Sequence, residues 1–251
     1  MIPISDYPSP PGTPVATIAL IVVNVLVFLV ITLPLGSQPA NPADPIFQEY
    51  LKLVMQSLPR NVPPQQIIES ISAYDLVVFK WGFRPADPSA LTLVSSVFLH
   101  GGFMHLAGNM LYLWIYGDNV EHRLGPLPFL FWYIVTGIAA TLFHAAFNLD
   151  SPIPLVGASG AISGVLGFYF LWFPHHTVRV FLFLFPFYVG TVMLNARFVL
   201  AIYLVWDNVL PFVVSHGAGG VAHGAHIGGF IAGLLVAWWK NQRQKGYRSD
   251  G

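Results

Sequence analysis

Long apolar runs separated by short polar stretches dominate the chain, and a helix crossing a bilayer needs about 20 mostly apolar residues. The first run, Val15 to Leu33, holds only Thr17, Asn24 and Thr32 as polar members. No Lys or Arg precedes it, and it is too long for the apolar core of a secretory signal, so it reads as a true span. A Pro-rich loop follows from Pro34 to Leu91 and carries nine charged residues. Inside it, Phe47, Tyr50, Leu51, Val54 and Leu58 recur at helical spacing, with Glu49, Lys52 and Gln56 between them. That stripe predicts an amphipathic helix, either lying in the membrane interface or packed on the rest of the loop.

Five further runs cover Val94 to Tyr116, Leu127 to Phe147, Leu155 to Phe173, Arg197 to Val214 and Val221 to Trp239. Val178 to Met193 is also very apolar, but Pro186 and Gly190 interrupt it, and it is expected to form an interfacial or partly buried connection. The expected fold is all-α: one polytopic membrane bundle over residues 1–251 with six transmembrane helices. An N-terminal tail (1–14), a long outer loop (34–91) and a polar tail (240–251) complete it. Orientation follows the basic residues of short loops and tails. Arg123, Arg179, Arg197, Lys240, Arg243, Lys245 and Arg248 fall on one side of six spans, and the short loops around Leu149 and Ser215 carry none. Both termini are therefore expected in the cytoplasm. The expected location is a prokaryotic plasma membrane, with an organelle membrane as the alternative; the N-terminus lacks the Arg-rich transit pattern of the latter.

Composition sharpens this picture. The chain is 55% hydrophobic and 9% charged, against about 25% charged in soluble proteins. Eleven basic and eleven acidic residues give no field for nucleic acid. With no cysteine, disulfides, thiolate metal sites and a cysteine nucleophile are excluded. Nine histidines stand out among so few charged residues.

Polar groups inside spans are costly and mark functional candidates. Three clusters qualify. Gly157-Ala158-Ser159-Gly160 opens the fourth run, where glycines permit a tight turn and a helix N-terminus favours developing negative charge. His226 lies in the sixth run among Gly228, Gly229 and Gly233, which permit a close neighbouring helix. Counted from the outer face, Ser159 and His226 each fall four or five residues into their helices, at roughly 6–8 Å depth. Equal depth allows an activated nucleophile and its base. His105 and Asn109, at i and i+4 in the second run, share a helix face and offer neutral donors suited to an oxyanion. Taken singly, each cluster also has a plain structural role: close helix packing, a histidine bonded to a carbonyl, or interhelical glue. His223 competes with His226 for the base but lies nearer the surface.

The run FLHGGFMHLAGNM, then GASGAISG, then AHIGGFIAG resembles the rhomboid family of intramembrane serine proteases, and Gly117 to Gly125 extends the likeness. It covers roughly residues 91–239. The resemblance implies Ser159 as nucleophile, His226 as general base, and His105, Asn109 and the Ser159 backbone N–H as the oxyanion hole. It implies no metal or other cofactor, and substrates that span the bilayer once and are cut near small residues. Two departures matter. Where well-known members carry a Trp-Arg pair, the first loop reads Leu91-Thr92-Leu93-Val94; where some carry an aromatic one turn after the nucleophile, Ser163 stands. That second departure leaves His226 to be oriented by other means, such as a hydrogen bond.

Asp207 is the one carboxylate deep within a span, and its expected role is a packing group, with a gating or water-site role as the alternative. Asp118 falls at the cytoplasmic end, and Glu121 with Arg123 is expected to cap a helix junction there. His100 and His223 stand near the chemistry, whereas His144, His175, His176 and His216 are assigned to structure or surface. Rival readings are a proton-relaying transporter using His105, His226 and Asp207, a haem or metal protein with paired histidines, and a proteolytically inactive homologue that binds membrane proteins.

Overall fold

The computed structural model describes residues 1–58, 62–214 and 221–249. Its helices are α1 (Val15–Gly36), α2 (Pro45–Ser57), α3 (Pro64–Ser70), α4 (Ala73–Trp81), α5 (Ala90–Phe98), α6 (Phe103–Leu124), α7 (Pro126–Ala146), α8 (Ser159–Trp172), α9 (Ala196–Val214) and α10 (His223–Ser249). Strands β1 (Ile2–Tyr7), β2 (Thr177–Leu184) and β3 (Tyr188–Asn195) form one antiparallel sheet in the order β1-β2-β3. Among the described residues, α1, α7 and α9 are long and apolar enough to cross a bilayer, and the broken pair α5 and α6 qualifies as a fourth span if counted together. Helix α8 is apolar but has only 14 residues, about 21 Å at 1.5 Å per residue.

The sheet corrects the all-α expectation. Val178 to Met193 connects its neighbours as a partly buried β-hairpin, and Pro186, read as an interruption, lies in its turn. The sequence TVRVFLFL is rich in β-branched and aromatic residues that suit a pleated surface. Part of the expected N-terminal tail is structured too: β1 pairs with β2 from Ile2 opposite Phe181 to Tyr7 opposite Thr177.

Two compact units divide the chain. The first comprises residues 1–21, 107–147 and 159–251. At its centre lies α8, whose residues from Gly160 to Tyr169 are all buried. It meets α10 backbone to backbone. A Cβ at Gly229 would collide with the Gly160 carbonyl oxygen, one at Gly233 with the Gly164 carbonyl oxygen, and one at Gly167 with that of Phe230. Small residues thus do what packing in lipid requires of them, letting helix axes approach closely. On the α7 side, a Cβ at Gly160 would sit 2.8 Å from Ala140 Cβ, and one at Gly137 2.9 Å from Ala161 Cβ.

Two buried carboxylates anchor the N-terminal segment of this unit. Glu121 accepts from Ala16 N at 2.9 Å and Thr17 N at 2.7 Å, capping the start of α1. The expected capping role therefore holds for Glu121, but Arg123 is not its partner. Arg123 lies over the Trp172 ring at 4.5 Å and donates to Asn241 at 3.1 Å. Asp6 of β1 accepts from Asn119 Nδ2 and from the Tyr169 hydroxyl, each at 2.6 Å. Burial pushes its carboxyl up to about 7.

The second unit comprises residues 22–106 and 148–158. The stripe of the long loop forms α2, capped by Asp44, which accepts from Ile46 N at 2.9 Å. Its apolar face packs on the loop itself: Phe47, with Tyr50 and Leu51, meets Ala40, Ile68, Ile71 and Leu76. Packing on the loop is one of the two expected placements. Leu58 lies beyond the helix end and is exposed. The second apolar run is not one straight helix, because Leu99 to Gly102 breaks it between α5 and α6. The fourth run is shortened as well: Leu155 pairs with Phe83 through two backbone hydrogen bonds of 2.8 and 3.0 Å, and helix begins only at Ser159.

Candidate active site

Ser159 is the first residue of α8, not the fourth or fifth. The segment leading to it is extended, and Gly157 turns it with φ of +124°, a conformation that disfavours any side chain. Its N–H donates to the Ser96 carbonyl at 2.9 Å. His226 is the fourth residue of α10. The equal count of residues from the two helix ends therefore does not hold, but packing brings the two neighbourhoods together. A Cβ at Gly160, next to Ser159, would lie 3.8 Å from Ala225 Cβ, next to His226. Both Ser159 and His226 are half-buried.

Two residues that sequence reasoning passed over define the surroundings of His226. Its Nδ1 lies 2.6 Å from Asn208 Oδ1, and Asn208 is 1% exposed. The Tyr203 ring stacks on the imidazole with centroids 6.2 Å apart and planes at 29°. The Tyr203 hydroxyl lies 2.8 Å from Ser163 Oγ, and Asn208 Nδ2 donates to the Tyr203 carbonyl at 2.7 Å. The aromatic missing from the position of Ser163 is thus supplied by α9, and Ser163 holds it in place. Tyr203 precedes a widened π-turn at Val205–Val209, and Asn208 lies within it. Such turns insert an extra residue into the helix and re-aim its side chains. Here Asn208 is directed inward, and its neighbour Asp207 is exposed. The available signal was polarity in an apolar run, but the carboxylate drew attention from the amide beside it.

The expected oxyanion donors lie on α6. Asn109 is buried, and its Nδ2 has no hydrogen-bond partner among the described residues. An amide donor held out of water without an acceptor costs free energy unless something negative uses it. His105 is exposed and accepts at Nδ1 from Gly101 N at 3.3 Å. A backbone N–H can only donate, so the His105 ring proton sits on Nε2, free to serve as a donor. The His105 ring meets His100 edge to face at 5.1 Å, and His100 is buried with its carbonyl accepting from Tyr74 at 2.8 Å.

The remaining histidines have separate surroundings. His223 packs edge to face on His226 at 6.5 Å, His176 lies 3.1 Å from the Tyr169 hydroxyl, and His144 packs where α10 begins, 3.3 Å from a Cβ placed at Gly224. His216 lies outside the described residues, as does the loop at Ser215. Asp118 accepts from Asn119 N at 2.6 Å. Among the described residues, no three His, Asp or Glu side chains converge as a metal site would require.

Residues 87–243 match a family model described as the Rhomboid domain. Over 178 residues the chain is 32% identical to "Rhomboid protein 1, mitochondrial" of Saccharomyces cerevisiae, covering 65% of this chain and 47% of that protein. It is 34% identical over 145 residues to "Rhomboid protease GluP" of Bacillus subtilis, covering 58% of this chain and 25% of that protein. With "RHOMBOID-like protein 4" of Arabidopsis thaliana it shares 29% identity over 239 residues, 89% of this chain and 54% of that protein. The chain spans between a quarter and about half the length of these relatives. They include bacterial and mitochondrial proteins, and the expected prokaryotic plasma membrane draws no support from them.

Proposed function

The chain belongs to the rhomboid family, and from that premise we propose that it is an intramembrane serine endopeptidase with Ser159 as nucleophile and His226 as general base. Its family and its long apolar helices make it an integral membrane protein. One relative is named a rhomboid protease, which supports peptide-bond hydrolysis as the reaction. The observation that carries the dyad is the glycine-mediated contact of α8 with α10, in which Gly160 lies against Ala225. We adopt six spans with both termini cytoplasmic, on the strength of the basic residues that gather in alternate loops.

In this mechanism Ser159 Oγ attacks the scissile carbonyl as His226 takes its proton. The tetrahedral oxyanion is held by the Ser159 N–H, Asn109 Nδ2 and His105 Nε2, each worth about 3 kcal/mol of barrier. The partnerless Asn109 amide supports that role. Collapse expels the amine, which leaves with the proton from His226, and Ser159 remains acylated. Water then attacks the acyl carbon, giving up a proton to His226, and the carboxylic product departs. The substrates are membrane proteins with one span, cut near small residues where the helix unwinds readily.

Labelling with a serine-directed fluorophosphonate tests the proposal. Wild type is expected to label, with Ser159→Ala and His226→Ala silent. Equal labelling of wild type and Ser159→Ala would overturn it.

A further inference from the structure

We infer that Asn208 is a positioning residue that fixes the His226 imidazole in the tautomer leaving Nε2 to exchange the proton with Ser159. The inference rests on the Ser159–His226 reading and adds a third, neutral member to it.

Hydrogen-bond polarity carries the argument. The Tyr203 carbonyl can only accept, so the Asn208 atom lying 2.7 Å from it is the amide nitrogen. That assignment turns Oδ1 toward His226 Nδ1, at 2.6 Å. An amide oxygen can only accept in its turn, so Nδ1 carries a proton whether the ring is neutral or charged. In the neutral ring the lone pair is then left on Nε2. Asn208 is 1% exposed, so water does not compete for the bond. Tyr203 stacks on the ring and is itself tied to Ser163, so the imidazole is fixed in plane as well as in protonation.

A carboxylate in this place is the arrangement of the serine-protease triad, where it sets the tautomer and stabilises the imidazolium. Here the nearest carboxylate on α9, Asp207, is exposed, and the amide beside it takes the inner position. An amide supplies the orienting acceptor without placing a charge in an apolar interior. The π-turn at Val205–Val209 is the backbone feature that makes the choice.

The test uses saturable labelling of the full-length protein with a fluorophosphonate, which separates KI from kinact. Asn208→Leu removes the acceptor, and kinact is expected to fall about a hundredfold with KI within about twofold of wild type. Asn208→Asp keeps an acceptor for Nδ1 but loses the donor to the Tyr203 carbonyl, and its kinact is expected within about tenfold of wild type. Wild-type kinact in Asn208→Leu would overturn the inference. So would equal losses in both variants, which would mean that the bond to Tyr203 matters and the bond to His226 does not. Should Asn208→Leu fail to fold, ¹⁵N NMR of histidine-labelled wild type decides. The resonances lost in His226→Gln are expected to show a protonated Nδ1 and an unprotonated Nε2, and the reverse pattern overturns the inference. Unchanged labelling of Ser159→Ala would instead sink the Ser–His reading itself, while the NMR measurement would still report on the Asn208 bond.

Discussion

Tyr203 stacks on His226 with ring centroids 6.2 Å apart, and its hydroxyl reaches back to Ser163 Oγ at 2.8 Å. The ring gives the imidazole a flat wall, and the hydroxyl keeps that wall from turning. Tyr203→Phe retains the wall and loses one neutral hydrogen bond, so fluorophosphonate labelling is expected to slow by no more than about threefold. Tyr203→Leu loses the ring and is expected to slow it further, by about two- to tenfold for the lost stacking. Labelling rates of the two variants, measured side by side, check the order.

Asp207 is exposed, whereas Asn208 is buried against the imidazole. Asp207→Asn is therefore expected to label at a rate within about twofold of wild type, as exposed substitutions commonly do. A loss as large as that of Asn208→Leu would show that the carboxylate takes part after all.

Glu121 accepts two backbone amides at the start of α1 and is 4% exposed. Replacing it with Ala leaves both donors buried and unsatisfied, at about 1–3 kcal/mol for each group. The detergent-solubilised variant is expected to melt at a lower temperature than wild type, with Glu121→Gln intermediate because it keeps an acceptor.

Gly229 and Gly233 face carbonyl oxygens of α8 with no room for a Cβ. Gly229→Ala is expected to cost about 1–3 kcal/mol through overpacking and to suppress labelling, since the shift falls beside Gly160 and Ala225. Gly108→Ala is the control. A Cβ there meets nothing within 4 Å, so stability is expected to be unchanged or slightly raised.

Asp6 gives a pH dependence outside the spans. Its carboxyl titrates near 7 in the folded protein and at 3.8 in a free chain. The folded state thus holds the proton more tightly, and the favourable contribution is full below about 4 and lost as pH rises through 7. Asp6→Asn cannot ionise. The stability difference between pH 5 and pH 8 is expected to be smaller in Asp6→Asn than in wild type, as thermal melts at the two pH values will show.

Much of this molecule was legible in the sequence, and the failures share physical causes. Helices α1, α7 and α9 follow from unbroken apolar runs, and the motifs around Ser159, His226 and Asn109 mark the family. The hairpin was missed because an apolar run of eight residues per strand has no period that separates it from a membrane segment. Pro186 and Gly190 signal an interruption of the run, and the sequence does not tell such an interruption from the turn that joins β2 to β3. The start of α8 was misjudged because the residues Leu155 to Ala158 are apolar yet extended, their backbone bonding elsewhere. Asn208 was overlooked because a helix of regular pitch gives no warning of a π-turn.

The sheet also bears on how often the chain crosses the bilayer. Strand β1 precedes α1 and β2 follows α8, and the two are hydrogen-bonded along their length. Tyr7 and Thr177 face each other across the sheet, so under the six-span arrangement proposed above they fall on one side of the membrane with an even number of passes between them. Candidate spans α1, α7 and the broken α5–α6 pair, counted together, supply three of them. Under that arrangement the short α8 is the fourth, and the strand pairing ties its place in the bundle to a feature other than its length.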